Sequence, residues 1–334
     1  MTSTSQSSTK MTMVKITQVN LHHSKAASAA LMLRMAERGE ELALVQEPWI
    51  ASDRVCGLRA KDYMLLHAAG SGKIRSCIVA SRKLSIFILS DFSDEDTVVA
   101  ALETTCGTVY IVSSYMAHDH SEPPPNAKVR AITKAANDRN IPLVIGADAN
   151  AHHIFWGSSD TNARGESIFN FILCSSLDVL NIGKEPTFVV SNRREVLDIT
   201  LVSTKHFNMI REWKVSNDCS FSDHMYIDFN LEVHLPGANP ILNRRKTNWI
   251  EQHDILSQLL PNPPTICTSR DIESSVELIN NAFDRATSVA CRPKVYKGRS
   301  KPHWWNSEIG DTRKECRRLF NEAKRLVSLQ ILSQ

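Results

Sequence analysis

Between residues 14 and 233, short apolar runs alternate with stretches whose apolar residues recur every three or four positions. The first pattern suits strands and the second amphipathic helices. Residues 14–20 predict a strand. Ser24 then offers an N-cap for a helix carrying Ala27, Leu31 and Met35 on one face, and Gly39 supplies its stop. Residues 42–46 predict a buried strand ending at Glu47-Pro48-Trp49. Stretches 76–80, 84–89, 97–103 and 108–115 are rich in β-formers, with Gly107 as the turn between the last two. Three prolines, 123–125, break the chain before a helix with Val129, Ile132 and Ala136. Residues 142–146 predict another buried strand, with Asp148-Ala149-Asn150 in the loop after it. A helix over 165–175, with Ile168, Phe171 and Ile172 on one face, is followed by strands at 187–190, 196–203 and 225–233. Many strands interleaved with a few helices imply a mixed α/β layered fold.

The texture changes after Val233. Residues 235–245 and 259–265 are rich in Pro and Asn and read as connectors. Residues 271–290 predict a helix with Val276, Ile279 and Phe283 on its apolar face, 292–301 are basic and turn-rich, and 306–332 predict a charged helix sparse in apolar residues. Such a helix needs a partner to cover it. The expected organisation is a disordered Ser/Thr-rich N-terminus (1–13), one large domain (14–233), a linker containing a helix (234–302) and a charged helix (303–334).

Composition changes this picture little. The 334 residues carry a net charge of +3, which permits a polyanionic partner without arguing for one. The eight cysteines form no CxxC pair, so neither a zinc knuckle nor a disulfide framework is indicated, and a reducing compartment is the simpler expectation. The first residues lack the apolar core of a signal peptide, and no apolar run is long enough to cross a bilayer, so a soluble chain is expected.

Chemistry enters at the ends of the apolar runs, where open α/β sheets place their sites. Asn20 follows VKITQV, Glu47 follows LALVQ, Asp148 and Asn150 follow PLVIGA, Asp198 sits in EVLDITLV, and Ser222-Asp223-His224 precedes MYIDF. Any one such Asp or Glu is more often a cap or a solvated turn residue, and a lone His or Tyr115 is more often structural. Together, carboxylates gathered at buried edges call for a divalent cation, and oxygen-only ligands favour Mg²⁺ or Mn²⁺ over zinc. An Asp-His pair beside them suits general-base work on a phosphodiester.

Seven stretches carry a resemblance: QVNLHHSKAA, ALVQEPWI, the Tyr of VSSYMAH, VIGADANAHHIFWGS, DTNARGESIFNFI, EPTFVVSNRREVLDITLVS and FSDHMYIDF. In this order they resemble the endonuclease/exonuclease/phosphatase superfamily, specifically the apurinic-like endonuclease domain of insect-type non-LTR retrotransposons. Ala149 stands where the superfamily often has an aromatic; the polar residues on either side are intact. The resemblance implies a four-layer α/β sandwich, two packed mixed sheets flanked by helices. It implies Glu47 as principal metal ligand, helped by Asn20, with Asp223 as a further metal-side carboxylate. Asp148 would orient or deprotonate the attacking water, Asn150 would hold the phosphate, and Tyr115 would donate to it. Asp198 would orient His224, which would contact phosphate and manage protons; whether Asp148 or His224 is the base stays open.

By the resemblance His153 and Trp156 would frame the site and count among its DNA-binding residues, His153 either touching phosphate or packing the loop. The polar, basic segment Ser191-Asn192-Arg193-Arg194 reads as an exposed hairpin tip, by the resemblance a DNA-contacting loop and otherwise a solvated turn. The expected activity is metal-dependent nicking of double-stranded DNA in the nucleus, leaving a 3′-hydroxyl that primes a reverse transcriptase carried in cis. The tail KPHWWNSEIGDTRKECRRLFNEAKR resembles the linker before that polymerase, with Trp304 and Trp305 as packing anchors, so the chain is expected to be a fragment, a truncated copy or an excised piece. The alternatives are an abasic-site repair nuclease or a phosphatase of the same superfamily, and an inactive DNA-binding remnant.

Overall fold

A computed structural model describes residues 11–68, 73–120, 122–235, 247–260, 262, 266–291 and 306–331. Most of the expected connectors, the basic stretch 292–301 and Trp304-Trp305 lie outside the described residues. The chain runs through β1 (Met11–Asn20), α1 (Lys25–Arg38), β2 (Leu42–Gln46), β3 (Ile50–Ala51), β4 (Arg54–Val55), β5 (Tyr63–Leu66), β6 (Ser76–Ser81) and β7 (Ile86–Ile88). Then come β8 (Thr97–Thr104), β9 (Gly107–Tyr115), α2 (Ala127–Arg139), β10 (Leu143–Asp148), α3 (Ala163–Cys174), β11 (Leu177–Val179), β12 (Phe188–Val190) and β13 (Arg193–Glu195). It ends with β14 (Asp198–Ser203), β15 (Ile210–Val215), β16 (Ile227–His234), α4 (Trp249–Leu259), α5 (Ser269–Ala290) and α6 (Ser307–Ile331). The sixteen strands with α1, α2, α3 and α6 form one compact unit, and α4 with α5 belongs to a second.

Two six-stranded sheets, ordered β15-β16-β1-β2-β6-β5 and β11-β14-β10-β9-β8-β7, build the first unit. Both mix parallel and antiparallel pairs. Period-two alternation explains why they stack. Leu42 and Leu44 of β2, Val109 and Ile111 of β9 and Val144 of β10 share one core between the sheets. Their neighbours Ala43 and Val45 turn outward to Leu31 and Met35 of α1. On the opposite outer face Tyr110, Val112 and Ile145 meet Val129 and Ile132 of α2 and Ile168 of α3. The result is the expected order of helix, sheet, sheet, helix.

The helix signals act as read. Ser24 accepts a hydrogen bond from the Ala27 N–H, and Gly39 closes α1 at φ 67° in the left-handed region that glycine enters freely. Several expectations shift. The first strand begins at Met11 rather than 14, because Met11 pairs with His234. Asp148 is the last residue of β10, paired with Asp198, rather than part of the following loop. On α5 the apolar stripe read from the sequence is outward: Val276, Ile279 and Phe283 are 49%, 43% and 48% exposed, while Ala282, Ala286 and Ala290 are buried. Helix α4 lies against α5, tied by Asn248 N–H to Ala290 O (2.9 Å) and Gln252 Nε2 to Thr287 Oγ1 (3.2 Å). Small side chains on that side let the two backbones approach.

Candidate active site

Strand direction brings the polar residues to one edge. β1 and β2 run parallel, so Asn20 and Glu47 leave the first sheet together. β9 and β10 run parallel in the second sheet, so Tyr115 and Asp148 leave it together. β14 and β16 run antiparallel to their neighbours, so the starts of those strands, at Asp198 and just past His224, fall at the same edge. Beneath this edge the sheets are joined by polar contacts: Gln18 Nε2 donates to Ala147 O (3.2 Å), and Gln46 Nε2 to Ser113 Oγ (2.9 Å) and Gly146 O (3.3 Å).

The buried amide of Asn20 links the two sheets at the site. Its Nδ2 donates to Glu47 Oε2 (3.0 Å) and to Asp148 Oδ2 (2.8 Å), while its Oδ1 accepts from the His22 N–H (2.7 Å). Glu47 has φ 44°, in the left-handed region, and is pinned on both sides: its N–H donates to Arg75 O, and its O accepts from the His23 N–H, both at 2.8 Å. Such strain in a non-glycine residue persists where the surroundings enforce it. Asn150, φ 46°, is held in the same way, its N–H on Asp148 Oδ1 (3.1 Å) and its O under Arg164 Nε (2.9 Å).

His224 Nδ1 lies 2.8 Å from Asp198 Oδ2, and its Nε2 lies 4.0 Å from Asp148 Oδ2. Burial disfavours the imidazolium, but the charges of Asp198 and Asp148 prevail and raise His224 to about 9. Burial likewise raises Asp148 to about 6, with the repulsion of Asp198 added and His224 opposing. Tyr115 is held well above its ordinary range by burial and by the carboxylates of Glu47 and Asp148, so it is a neutral donor. Two buried polar atoms here, Asn150 Nδ2 and Asp198 Oδ1, have no hydrogen-bond partner among the described residues. A buried orphan donor at such a point is a place for a ligand to fill.

Glu47 and Asp148 converge on the Asn20 Nδ2, and two carboxylates facing one point with only an amide between them fit a hard divalent cation. Asp148, Asp198 and His224 also present one ligand atom each within 4.8 Å of one another. In that second grouping Asp198 and His224 already neutralise each other at 2.8 Å, so the Glu47 side suits a cation better. Asp223 stands apart: its half-exposed carboxylate pairs with His22 Nδ1 (3.1 Å) at the rim.

Two residues read as DNA contacts are placed otherwise. Trp156 is 1% exposed within the helix-side core, because its large apolar ring packs beneath the loop. His153 is buried, accepts from the Phe155 N–H through Nδ1 (3.0 Å) and stacks on Phe169 at 4.4 Å between ring centroids. These contacts are those of a residue that packs and orders the loop. Asn192, Arg193 and Arg194 are exposed on the β12–β13 hairpin as expected. That hairpin is rooted on the site, Val189 N–H donating to Asp223 O (2.8 Å) and the Phe188 ring meeting His224 at 5.0 Å.

Sequence reasoning missed two arginines. Arg164, at the start of α3, donates to Asn150 O (2.9 Å) and Met116 O (2.7 Å), clamping the segments that follow β10 and β9. Arg75 lies 5.7 Å from the Tyr115 ring centroid and is itself held by Asp96 and Asp119. The only signal for Arg164 was its place in DTNARGES, where nothing marked its backbone targets.

Carboxylates beside hydrogen-bond donors, at one edge of two packed mixed sheets, match the endonuclease/exonuclease/phosphatase fold. Residues 109–228 match the family described as "Endonuclease-reverse transcriptase". The endonuclease domain of TRAS1, a telomere-specific non-LTR retrotransposon, aligns in structure with TM-score 0.56 and 25% identity, covering 65% of this chain and 97% of that one. A putative 115 kDa protein in the type-1 retrotransposable element R1DM of Drosophila melanogaster is 22% identical over 326 residues, 92% of this chain and 31% of the relative. The Pol polyprotein of the type-1 element R1 of Bradysia coprophila is 23% identical over 277 residues, 76% of this chain and 27% of the relative. The chain thus spans 31% and 27% of the length of these two relatives. Within that fold, the chain is similar to the endonuclease domains of non-LTR retrotransposon polyproteins.

Proposed function

We propose that this chain is a Mg²⁺- or Mn²⁺-dependent endonuclease that nicks one strand of double-stranded DNA and leaves a 3′-hydroxyl. The observation that carries the reading is the Asn20 amide bridging Glu47 and Asp148 on the edge where Asp198 holds His224. Glu47, with Asn20, would hold the cation and Asp223 would serve from the rim. The cation, when bound, supplies Lewis-acid charge at the scissile phosphate. Water attacks phosphorus and the P–O3′ bond breaks, giving a 5′-phosphate on one side and the 3′-hydroxyl on the other. Near neutral pH Asp148, at about 6, is mostly ionised, while His224, at about 9, is protonated. These states favour Asp148 as the base and leave His224, Tyr115 and Asn150 as donors to the phosphate oxygens.

The exposed Asn192, Arg193 and Arg194 put a basic, polar tip beside the site, which supports DNA as the substrate. The relatives' polyproteins and the family description support a reverse transcriptase in cis; action on chromosomal DNA in the nucleus is part of the proposal. Glu47→Ala and His224→Ala should each slow nicking of supercoiled plasmid by about a hundredfold or more, with circular dichroism unchanged. Wild-type nicking rates in both folded variants would overturn the assignment.

A further inference from the structure

The two arginines of the β12–β13 hairpin occupy different environments. Alternation puts Arg193 and Glu195 on one face of β13 and Arg194 on the other. On the first face Arg193 Nη2 donates to His152 Nε2 at 2.5 Å. The other ring nitrogen, Nδ1, faces Asp160 Oδ1 at 2.5 Å and Glu195 Oε2 at 3.1 Å. Glu195 is 5% exposed and also accepts from Ser159 through its N–H (2.9 Å) and its Oγ (2.6 Å). The Arg193 guanidinium covers the Phe188 ring at 5.8 Å.

For Nε2 to accept, the ring proton must sit on Nδ1, the nitrogen that faces the carboxylates. Asp160 and Glu195 therefore fix the tautomer that Arg193 requires. The two converging carboxylates need positive charge nearby, and Arg193 supplies one such charge across the imidazole from this chain's own side chains. The loop carrying His152 and Asp160 continues directly from Asn150, and the hairpin carrying Arg193 touches His224 through Phe188.

We propose that His152 is a positioning residue that latches the β12–β13 hairpin, through Arg193, onto the loop after Asn150, and so sets where along the duplex the nick falls. This rests on the reading of the hairpin as a DNA-contacting element. Arg194, exposed on the opposite face, is the arginine left to meet the DNA backbone.

Hydrogen exchange and nick mapping on the full chain test this. His152→Ala should accelerate amide exchange over residues 188–195 by about tenfold, as loss of a charge-assisted hydrogen bond in a small hairpin implies. It should scatter nick positions on a labelled duplex while the rate at saturating DNA changes by less than about threefold. His152→Gln, which keeps an acceptor for Arg193, should restore both. Arg193→Ala, a surface change with little risk to the fold, should accelerate exchange in the same way. Arg194→Ala should weaken binding and reduce its salt dependence with exchange unchanged. Unaltered exchange in folded His152→Ala or in Arg193→Ala overturns the latch. Accelerated exchange with nick positions and affinity unmoved in His152→Ala and Arg194→Ala keeps the latch as a structural tie and overturns the DNA-contacting hairpin instead.

Discussion

His224 sits between two carboxylates, 2.8 Å from Asp198 and 4.0 Å from Asp148, and its protonation governs the charge of the site. A group that is more basic in the folded chain than in the unfolded one stabilises the fold only while it is protonated. For His224 that contribution is complete below 6.5 and is lost as pH climbs through about 9. Asp148 acts in the same sense at lower pH, between 3.8 and about 6, because burial makes its ionised form the costly one. With a chelator present, urea midpoints should therefore fall as pH rises from 6.5 to about 9. Asp198→Asn, which removes the strongest favourable partner, should flatten that decline. A wild-type midpoint constant across the interval would remove the imidazolium from the site. The residue types at this edge were legible in the sequence because each ends or starts an apolar run. Their mutual distances were not, since they depend on two sheets meeting.

At the scale of elements, the loop after β10 shows how closely pieces must approach. A Cβ on Gly165, at the start of α3, would lie 1.8 Å from His152 O, a backbone atom that has nowhere to retreat while Asn162 holds the His152 N–H. Gly165→Ala should destabilise the fold by about 3 kcal/mol or more and disturb the His152 loop. Thermal unfolding checks the first effect, and a variant as stable as wild type would show that α3 can shift freely. Elements with strong local signals, such as α1 between Ser24 and Gly39, were readable from the chain. Strand β15 was not: its outward Arg211, Glu212 and Lys214 hide the alternation, and Glu212 sits at φ 55° where the register slips. Helix α5 was legible, with Val276, Ile279 and Phe283 on one apolar face, but that face is the exposed one. Hydrophobicity ranks those residues above Ala282 and Ala286, whereas close helix packing selects the small ones. Trp156 failed for the converse reason, an aromatic near a site being taken for a contact when it is core.

At the scale of the whole molecule, α6 belongs to the same compact unit as the two sheets although it lies far along the chain from them. Its ties are few. Arg313 pairs with Glu37 of α1 at 2.7 Å, and Phe320 meets the Phe221 ring at 6.3 Å, while Ile309 and Leu319 stay 37% and 50% exposed. This ion pair and this tilted ring contact are worth about 1–2 kcal/mol together. Among the described residues, the buried core between the sheets is drawn from residues 14–233. A chain ending at Leu235 should therefore fold cooperatively, melt a few degrees lower, at roughly 2–4 °C per kcal/mol for a domain of this size, and keep its nicking activity. The His224 strand makes this a demanding test. β16 pairs with β1 up to Met11–His234, so the cut falls one residue beyond a sheet pairing that carries the site. A truncated chain that aggregates or loses cooperative melting would show that α6 is part of the folding unit and not a cover laid on it.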